Sequence, residues 1–196
     1  MRLIGLVVLL AFATPTLAQE GMYVGLGLSS FDYSEDAGFL APEAFSDTVS
    51  AWKAYGGFEF GEHVGVEIRY GATGKIETTS AGTDPTLGDY TAAVSTDFKI
   101  TSALVLGVLP KDWGALFGGV GYFNSTGKAR LTLDTACCGV FNPTASANDN
   151  GLTAALGVEW RFGRFDTGVA LRLEYEWLDF ENGNASTLGI GVAYRF

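Results

Sequence analysis

The last ten residues of the chain alternate without a break: Leu188, Ile190, Val192, Tyr194 and Phe196 are large and apolar, and Gly189, Gly191, Ala193 and Arg195 stand between them. A period of two is the signature of a strand with one apolar face and one small or polar face. The same rhythm occupies seven earlier segments. In 21–31, Met22, Val24, Leu26 and Leu28 oppose Tyr23, Gly25, Gly27 and Ser29; in 50–60, Trp52, Ala54, Phe58 and Phe60 oppose Lys53, Tyr55, Gly57 and Glu59. In 63–71, Val64, Val66, Ile68 and Tyr70 oppose Gly65, Glu67 and Arg69; in 90–109, Val94, Phe98 and Ile100 oppose Ser95, Asp97 and Lys99. Segment 113–124 is rich in glycine, and from 101 to 124 the register stays open because both faces are apolar or small. In 151–162, Leu152, Leu156, Val158, Trp160 and Phe162 oppose Thr153, Gly157, Glu159 and Arg161; in 167–180, Val169, Leu171, Leu173, Tyr175 and Trp177 oppose Arg172, Glu174 and Glu176.

The connections add direction. Those at 61–62, 110–112 and 163–166 are short, those at 32–49, 72–89 and 125–150 are long and polar, and 181–186 is intermediate. An even number of antiparallel strands with short turns at one end and long loops at the other is the plan of a transmembrane β-barrel. Closure leaves no unpaired strand edge, which a lipid environment demands. The expected fold is an all-β, eight-stranded, antiparallel up-and-down barrel.

The two faces differ in what a lumen can hold. An eight-stranded barrel encloses just enough room for side chains. Rows of Phe, Trp, Tyr and Leu from every strand would crowd it, whereas Gly, Ala and Ser with a few long charged residues fit. The small face carries Lys53, Arg69, Lys99, Arg161, Arg172 and Arg195 against Glu59, Glu67, Asp97, Glu159, Glu174 and Glu176, and sums to zero. Buried ions cost several kcal/mol each unless paired, so a balanced set is the composition of a self-satisfying lumen network. The alternative is a soluble sheet whose charged face meets water. Aromatic residues cluster near strand ends: Tyr23, Phe31, Trp52, Phe60, Tyr70, Trp113, Tyr122, Trp160, Phe162, Trp177, Phe180, Tyr194 and Phe196. Such rings belong at a bilayer interface, where one end is apolar and the other wet.

The chain opens with Arg2, an apolar run from Leu3 to Ala13, and small residues up to Ala18. The run is too short to span a bilayer and reads as a secretory signal peptide, 1–18, cut after Ala18. Gln19 follows the cut and not Cys, which argues against a lipoprotein. The barrel domain is then 19–196. It carries 11 Lys and Arg and 22 Asp and Glu, a formal charge of −11 that lies outside the strands, mostly in the long connections. Acidic positions such as Asp32, Glu35 and Asp36 keep those loops solvated or meet divalent cations at a lipopolysaccharide surface. The adjacent Cys137 and Cys138 supply no disulfide framework and no metal-ligand spacing, and are expected to be loop residues.

The stretches GGFEF (56–60), VEIRY (66–70), GGVGY (118–122), LGVEWRF (156–162), LRLEY (171–175) and GVAYRF (191–196) resemble the small outer-membrane β-barrel family of Gram-negative bacteria, which includes OmpA/OmpX-type barrels and proteins labelled opacity or porin family. The resemblance covers the whole of 19–196. It implies an outer-membrane location, contact with outer-membrane lipid and lipopolysaccharide, and insertion by the barrel assembly machinery, which in this family reads a terminal Phe preceded by alternating apolar residues. Phe196, Tyr194, Val192 and Ile190 are by that resemblance the insertion signal. Full OmpA-type proteins continue into a peptidoglycan-binding domain, so wall anchoring is not implied for a chain ending at its eighth strand.

For function, the leading expectation is a structural or surface-interaction barrel with a side-chain-filled lumen and an unknown extracellular ligand. The alternatives are an adhesin acting through 125–150 and a narrow channel gated by lumen salt bridges, with Glu67, Arg69, Glu159 and Arg161 as gating candidates. An enzyme is disfavoured. The only histidine, His63, lies in a short turn, and no Ser/His/Glu set can be assembled around it. No cofactor or metal site is expected. The acidic balance argues against nucleic acid, and glycines 118–121 lack the strand-to-helix context of a phosphate loop.

Overall fold

The computed structural model describes residues 21–35, 45–84, 88–135, 139–164, 167–181 and 183–196. The signal peptide with its cut after Ala18, Asp36 and the two cysteines lie outside these residues.

Ten strands form one sheet: β1 (Met22–Glu35), β2 (Phe45–Phe60), β3 (Val64–Thr73), β4 (Ile76–Asp84), β5 (Gly88–Lys111), β6 (Gly114–Thr135), β7 (Gly139–Phe141), β8 (Thr144–Arg164), β9 (Thr167–Phe180) and β10 (Gly183–Arg195). Every pairing is antiparallel. β3 and β4 lie end to end against β5, broken at Gly74 and Lys75, and β7 and β8 lie end to end against β6, broken at Asn142 and Pro143. Counted as staves, the ten strands make eight. The first and last close the ring, from Tyr23↔Arg195 to Glu35↔Gly183, and β5 pairs with β6 from Tyr90↔Thr135 to Lys111↔Gly114. Antiparallel closure of this kind pairs the backbone without an edge at membrane depth.

One turn of the short-turn end shows the local chemistry. Gly61 leads β2 into β3 with φ of 68°, the left-handed region that other residues enter at a cost.

The apolar face points outward. Leu26, Leu28, Ile68, Val120, Leu156 and Ile190 each keep more than 60% of their surface exposed, and together with Val64, Val66, Val105, Leu152, Leu171, Leu173, Leu188 and Val192 they form a continuous belt. A belt this large has no place on a soluble monomer; it is a lipid-facing wall. Ten of the thirteen girdle aromatics also face outward, among them Trp52, Tyr70, Tyr122, Trp160, Trp177 and Phe196. The other three do not: Tyr23, Phe31 and Phe180 are buried inside the barrel.

The long polar connections are largely strand. Residues 72–89 contain the end of β3, β4 and the start of β5, and 125–150 contain the upper part of β6, β7 and the start of β8. β5 runs for 24 residues and β6 for 22, where about 9–11 suffice to cross a bilayer. The excess stands above the membrane as an extension of the sheet. These stretches escape a hydrophobicity reading because, apart from buried positions such as Ile76 and Ser125, most of their residues are exposed on both faces, while Thr and Ser still favour a ladder.

The open register of 101–124 resolves with even residues inward on β5 (Ser102, Leu104, Leu106, Val108) and odd residues inward on β6 (Ala115, Phe117, Phe123, Ser125). That parity corrects two expected lumen members. Asp97 and Lys99 sit on the outer face, with Lys99 exposed, while Phe98 and Ile100, expected outside, pack inward. The alternation of 94–100 was real but its sense is reversed. This part of β5 stands above the belt, where the outside is water and the inside is plugged.

Candidate functional site

The lumen is filled in layers. At the short-turn end Arg161 and Arg195 meet Glu59 and Glu159: Arg161 Nη2 lies 3.1 Å from Glu59 and its Nε 2.8 Å from Glu159, Arg195 Nη1 lies 2.8 Å from Glu159, and Arg195 also pairs with Glu59. Above them, Lys53, Arg69 and Arg172 meet Glu67, Glu174 and Glu176. Arg69 donates two parallel hydrogen bonds of 3.0 Å to the Glu174 carboxylate, its Nε donates to Glu67 at 2.6 Å, and its Nη1 lies 3.0 Å from Glu176. Arg172 reaches Glu67 at 2.5 Å and Glu174 at 3.0 Å. Lys53 pairs with Glu174 and lies 3.4 Å from Glu176. Each cluster is separately neutral, two against two below and three against three above. Apart from the partly buried Lys53, side chains in the upper cluster are almost fully buried, Glu67 at 0% and Arg69 and Arg172 at 3% exposure, so the pairing is what makes their charge tolerable. The forked Arg geometry supplies several bonds per ion.

Ten of the twelve expected network members therefore come together across the lumen, contributed by β2, β3, β8, β9 and β10. Asp97 and Lys99 are the two that do not. The intra-strand pairs Glu67–Arg69 and Glu159–Arg161 follow directly from two-residue spacing, but the cross-lumen partners depend on closure.

Aromatic rings sit between and above the ions, a layer that the alternation pattern did not single out. Tyr23 links the two clusters: its hydroxyl donates to Glu67 at 2.7 Å, and the Arg195 guanidinium lies 5.1 Å from its ring centre. Arg172 lies 3.9 Å from the Phe117 ring centre and 4.8 Å from that of Tyr55, at cation–π range. The glycines of the small face make this possible. Tyr23 stands opposite Gly57, Tyr55 opposite Gly25 and Phe117 opposite Gly157 in the register, so each large inner ring lies over a residue with no side chain. The signal was present in the sequence, but only with the register does each aromatic find its glycine.

A Cβ on Gly157 would sit 2.6 Å from both the Leu173 carbonyl oxygen and Phe117 Cε1. Gly157→Val is therefore expected to destabilise the folded barrel by about 1–3 kcal/mol, the range for forcing extra carbons into a packed interior. The check is the urea midpoint of the fast-migrating folded band on a cold gel; a midpoint equal to that of the parent would show that the ring is not held there.

At the opposite, long-connection end Phe31, Phe123, Leu178, Phe180 and Ala185 form an apolar plug, with Tyr33, Val49, Ala51, Phe98 and Ile100 packed around it. Phe123 and Phe180 have ring centres 4.8 Å apart, and Phe98 lies 6.0 Å from both Phe31 and Phe180. A cavity of about 40 Å³ separates plug from ions, lined by Phe31 and Leu178 on one side and Lys53, Arg69 and Glu176 on the other. That holds only a few water molecules. The remaining inner wall, from β5 and β6, is apolar: Leu104, Leu106, Val108 and Ala115 pack with Phe117 and Ala155.

A closed eight-stave ring, a lipid-facing belt and an ion-filled lumen are the parts of an outer-membrane barrel, and residues 4–196 match the family described as outer membrane protein beta-barrel domain. The chain belongs to that family. As a member of this barrel family it resides in the outer membrane. Solved structures of like fold include OprG from Pseudomonas aeruginosa (13% identity, TM-score 0.57, covering 91% of this chain and 97% of that one). They also include Ail, the attachment invasion locus protein of Yersinia pestis (16%, 0.56, 91% and 100%), in complex with the heparin analogue sucrose octasulfate. Neisserial surface protein A is a third (15%, 0.51, 90% and 97%). At these identities the likeness is one of fold. No curated protein sequence matches the chain.

Ile190, Val192, Tyr194 and Phe196, expected from the resemblance to form an insertion signal, all face outward on and just beyond β10: Ile190 is 62% exposed, Val192 52%, Tyr194 50% and Phe196 38%.

Proposed function

We propose that this barrel is a sealed, non-enzymatic surface scaffold: its wall and lumen supply stability, and the sheet extended above the membrane supplies recognition. The observation that carries this reading is the filling of the lumen. Ten ionisable side chains are engaged with one another in two neutral clusters, and an aromatic plug caps them. Ions so paired are neither free to move a proton to a substrate nor arranged around a continuous water path. His63 is exposed in the turn between β2 and β3. Export through a signal peptide cut after Ala18, and recognition of the Ile190, Val192, Tyr194 and Phe196 face by the barrel assembly machinery, complete the proposal. The extracellular partner is a ligand of the upper sheet, and nucleic acid has no place in it.

Recording in planar bilayers tests the reading. The refolded barrel should give no discrete conductance steps at 100 mV in molar salt. Regular steps that change with Arg69→Ala or Arg161→Ala would overturn it in favour of a channel gated by those ions. Folding is verified on the same sample by a gel, since a folded barrel migrates differently before and after boiling.

A further inference from the structure

Of the cations outside the lumen, those on the extracellular half are Lys75, Lys99, Lys128 and Arg130, and all four are exposed on one flank. The register places them together. Lys99 on β5 pairs with Thr126 on β6, Lys128 pairs with Asp97, and Arg130 pairs with Ser95. Lys99 and Lys128 are thus diagonal neighbours on the outer face, roughly 7 Å apart at the backbone. Lys75 lies at the break between β3 and β4, on the other side of β5. Two carboxylates lie among them, Asp97 and Glu77, the latter opposite Ser95, so the patch itself keeps two net positive charges; Asp134, four residues beyond Arg130, and Asp89 share the outer face farther up.

The height of the patch identifies what it meets. Directly below it on the same face, Tyr70 pairs with Thr101 and Tyr122 with Ala103, and both rings face outward, 42% and 54% exposed. They mark the bilayer interface. Lys99 is two residues above Thr101, about 7 Å along the strand, and below the rings the belt continues through Val105 and Val120. Among the described residues, the charged groups of the opposite flank at this level are acidic: Asp32 on β1, Asp179 on β9 and Glu181 in the following turn, all exposed. A protein of net charge −10 thus collects its extracellular cations on a single face, at the depth of lipid headgroup phosphates.

We propose that this flank of β4, β5 and β6 is a docking site for a phosphorylated, acylated saccharide of the outer leaflet, the chemistry of lipopolysaccharide. The acyl chains lie on Val105 and Val120, and the sugar phosphates meet Lys75, Lys99, Lys128 and Arg130. The acidic flank repels the same headgroup, so the barrel is surrounded unevenly. This rests on the outer-membrane placement above.

The full-length barrel is reconstituted in phosphatidylcholine nanodiscs, and binding of fluorescent rough lipopolysaccharide is measured. The variant Lys99→Gln/Lys128→Gln/Arg130→Gln should weaken binding by at least tenfold, since each cation near an anionic surface contributes about fivefold. Asp32→Asn/Asp179→Asn on the other flank should leave it unchanged or tighter. Lipopolysaccharide stripped of its phosphates should bind the parent as weakly as the intact form binds the triple variant. Equal binding by parent and triple variant overturns the site, and so does equal binding by phosphatidylglycerol, which would reduce it to a general attraction for anionic lipid. The heat-dependent gel shift separates the two readings. A barrel that inserts normally but does not select the glycolipid removes only the docking site, whereas a chain that does not insert removes the membrane placement and the docking site with it.

Discussion

Arg172→Ala should lower the stability of the folded barrel by about 3–5 kcal/mol, the cost of leaving a buried charge without its partner. Arg172 holds Glu67 at 2.5 Å and Glu174 at 3.0 Å while its guanidinium covers Phe117 at 3.9 Å. Without it the upper cluster carries three carboxylates against two cations, and Glu67 is completely shielded from solvent. Lys is no substitute, because a single ammonium cannot reach both carboxylates and lie flat on a ring. The arithmetic of the pair predicts a rescue. Glu67→Gln combined with Arg172→Met removes both charges, keeps similar volume, and should recover most of the loss, since apolar replacement of a whole buried pair is often neutral. Urea titration of refolding into lipid vesicles, read as the fraction of folded band on a cold gel, gives both numbers. A single variant as stable as the parent would mean that the lumen ions are solvated and independent.

Leu156→Arg is the second large effect, about 2–4 kcal/mol destabilising in lipid, the cost of a basic residue on the lipid face near the bilayer midplane. Leu156 is 67% exposed at the middle of the wall, between Gly118 of β6 and Tyr175 of β9. Thr91→Arg, on the outer face of the part of β5 that stands in water, serves as control and should stay within about 0.5 kcal/mol of the parent. The contrast between two outward positions isolates the solvent they face. If both substitutions were harmless in vesicles, the belt would not be in contact with hydrocarbon.

Legibility in the sequence followed the membrane. In β1, β9 and β10 the lipid on one side and the packed lumen on the other impose opposite demands on neighbouring residues, so Leu26, Leu173 and Ile190 could be assigned outward and Arg172, Glu174 and Arg195 inward from alternation alone. In 94–100 the same alternation pointed the wrong way. Phe98 and Ile100 are apolar because they seal the top of the lumen, and Lys99 is charged because it faces water. β7, β4 beyond its buried Ile76, and the upper reaches of β6 and β8 carry no periodic signal, since strands exposed on both faces have no apolar face to repeat. The inner wall of β5 and β6 was hidden for the opposite reason: with Leu104 and Leu106 inside and Val105 outside, both faces are apolar.

The sequence by itself determined the number of staves, the direction of the membrane wall and the neutrality of the lumen, because each is a property of a face, and a face is written in every second residue. Which carboxylate each arginine meets, which glycine lies beneath Tyr23, Tyr55 and Phe117, and that Lys99, Lys128 and Arg130 share one flank were decided only by the tertiary structure. Those are relations between strands, and they exist once closure has set the register that brings residues 105 positions apart, such as Arg172 and Glu67, within a hydrogen bond of each other.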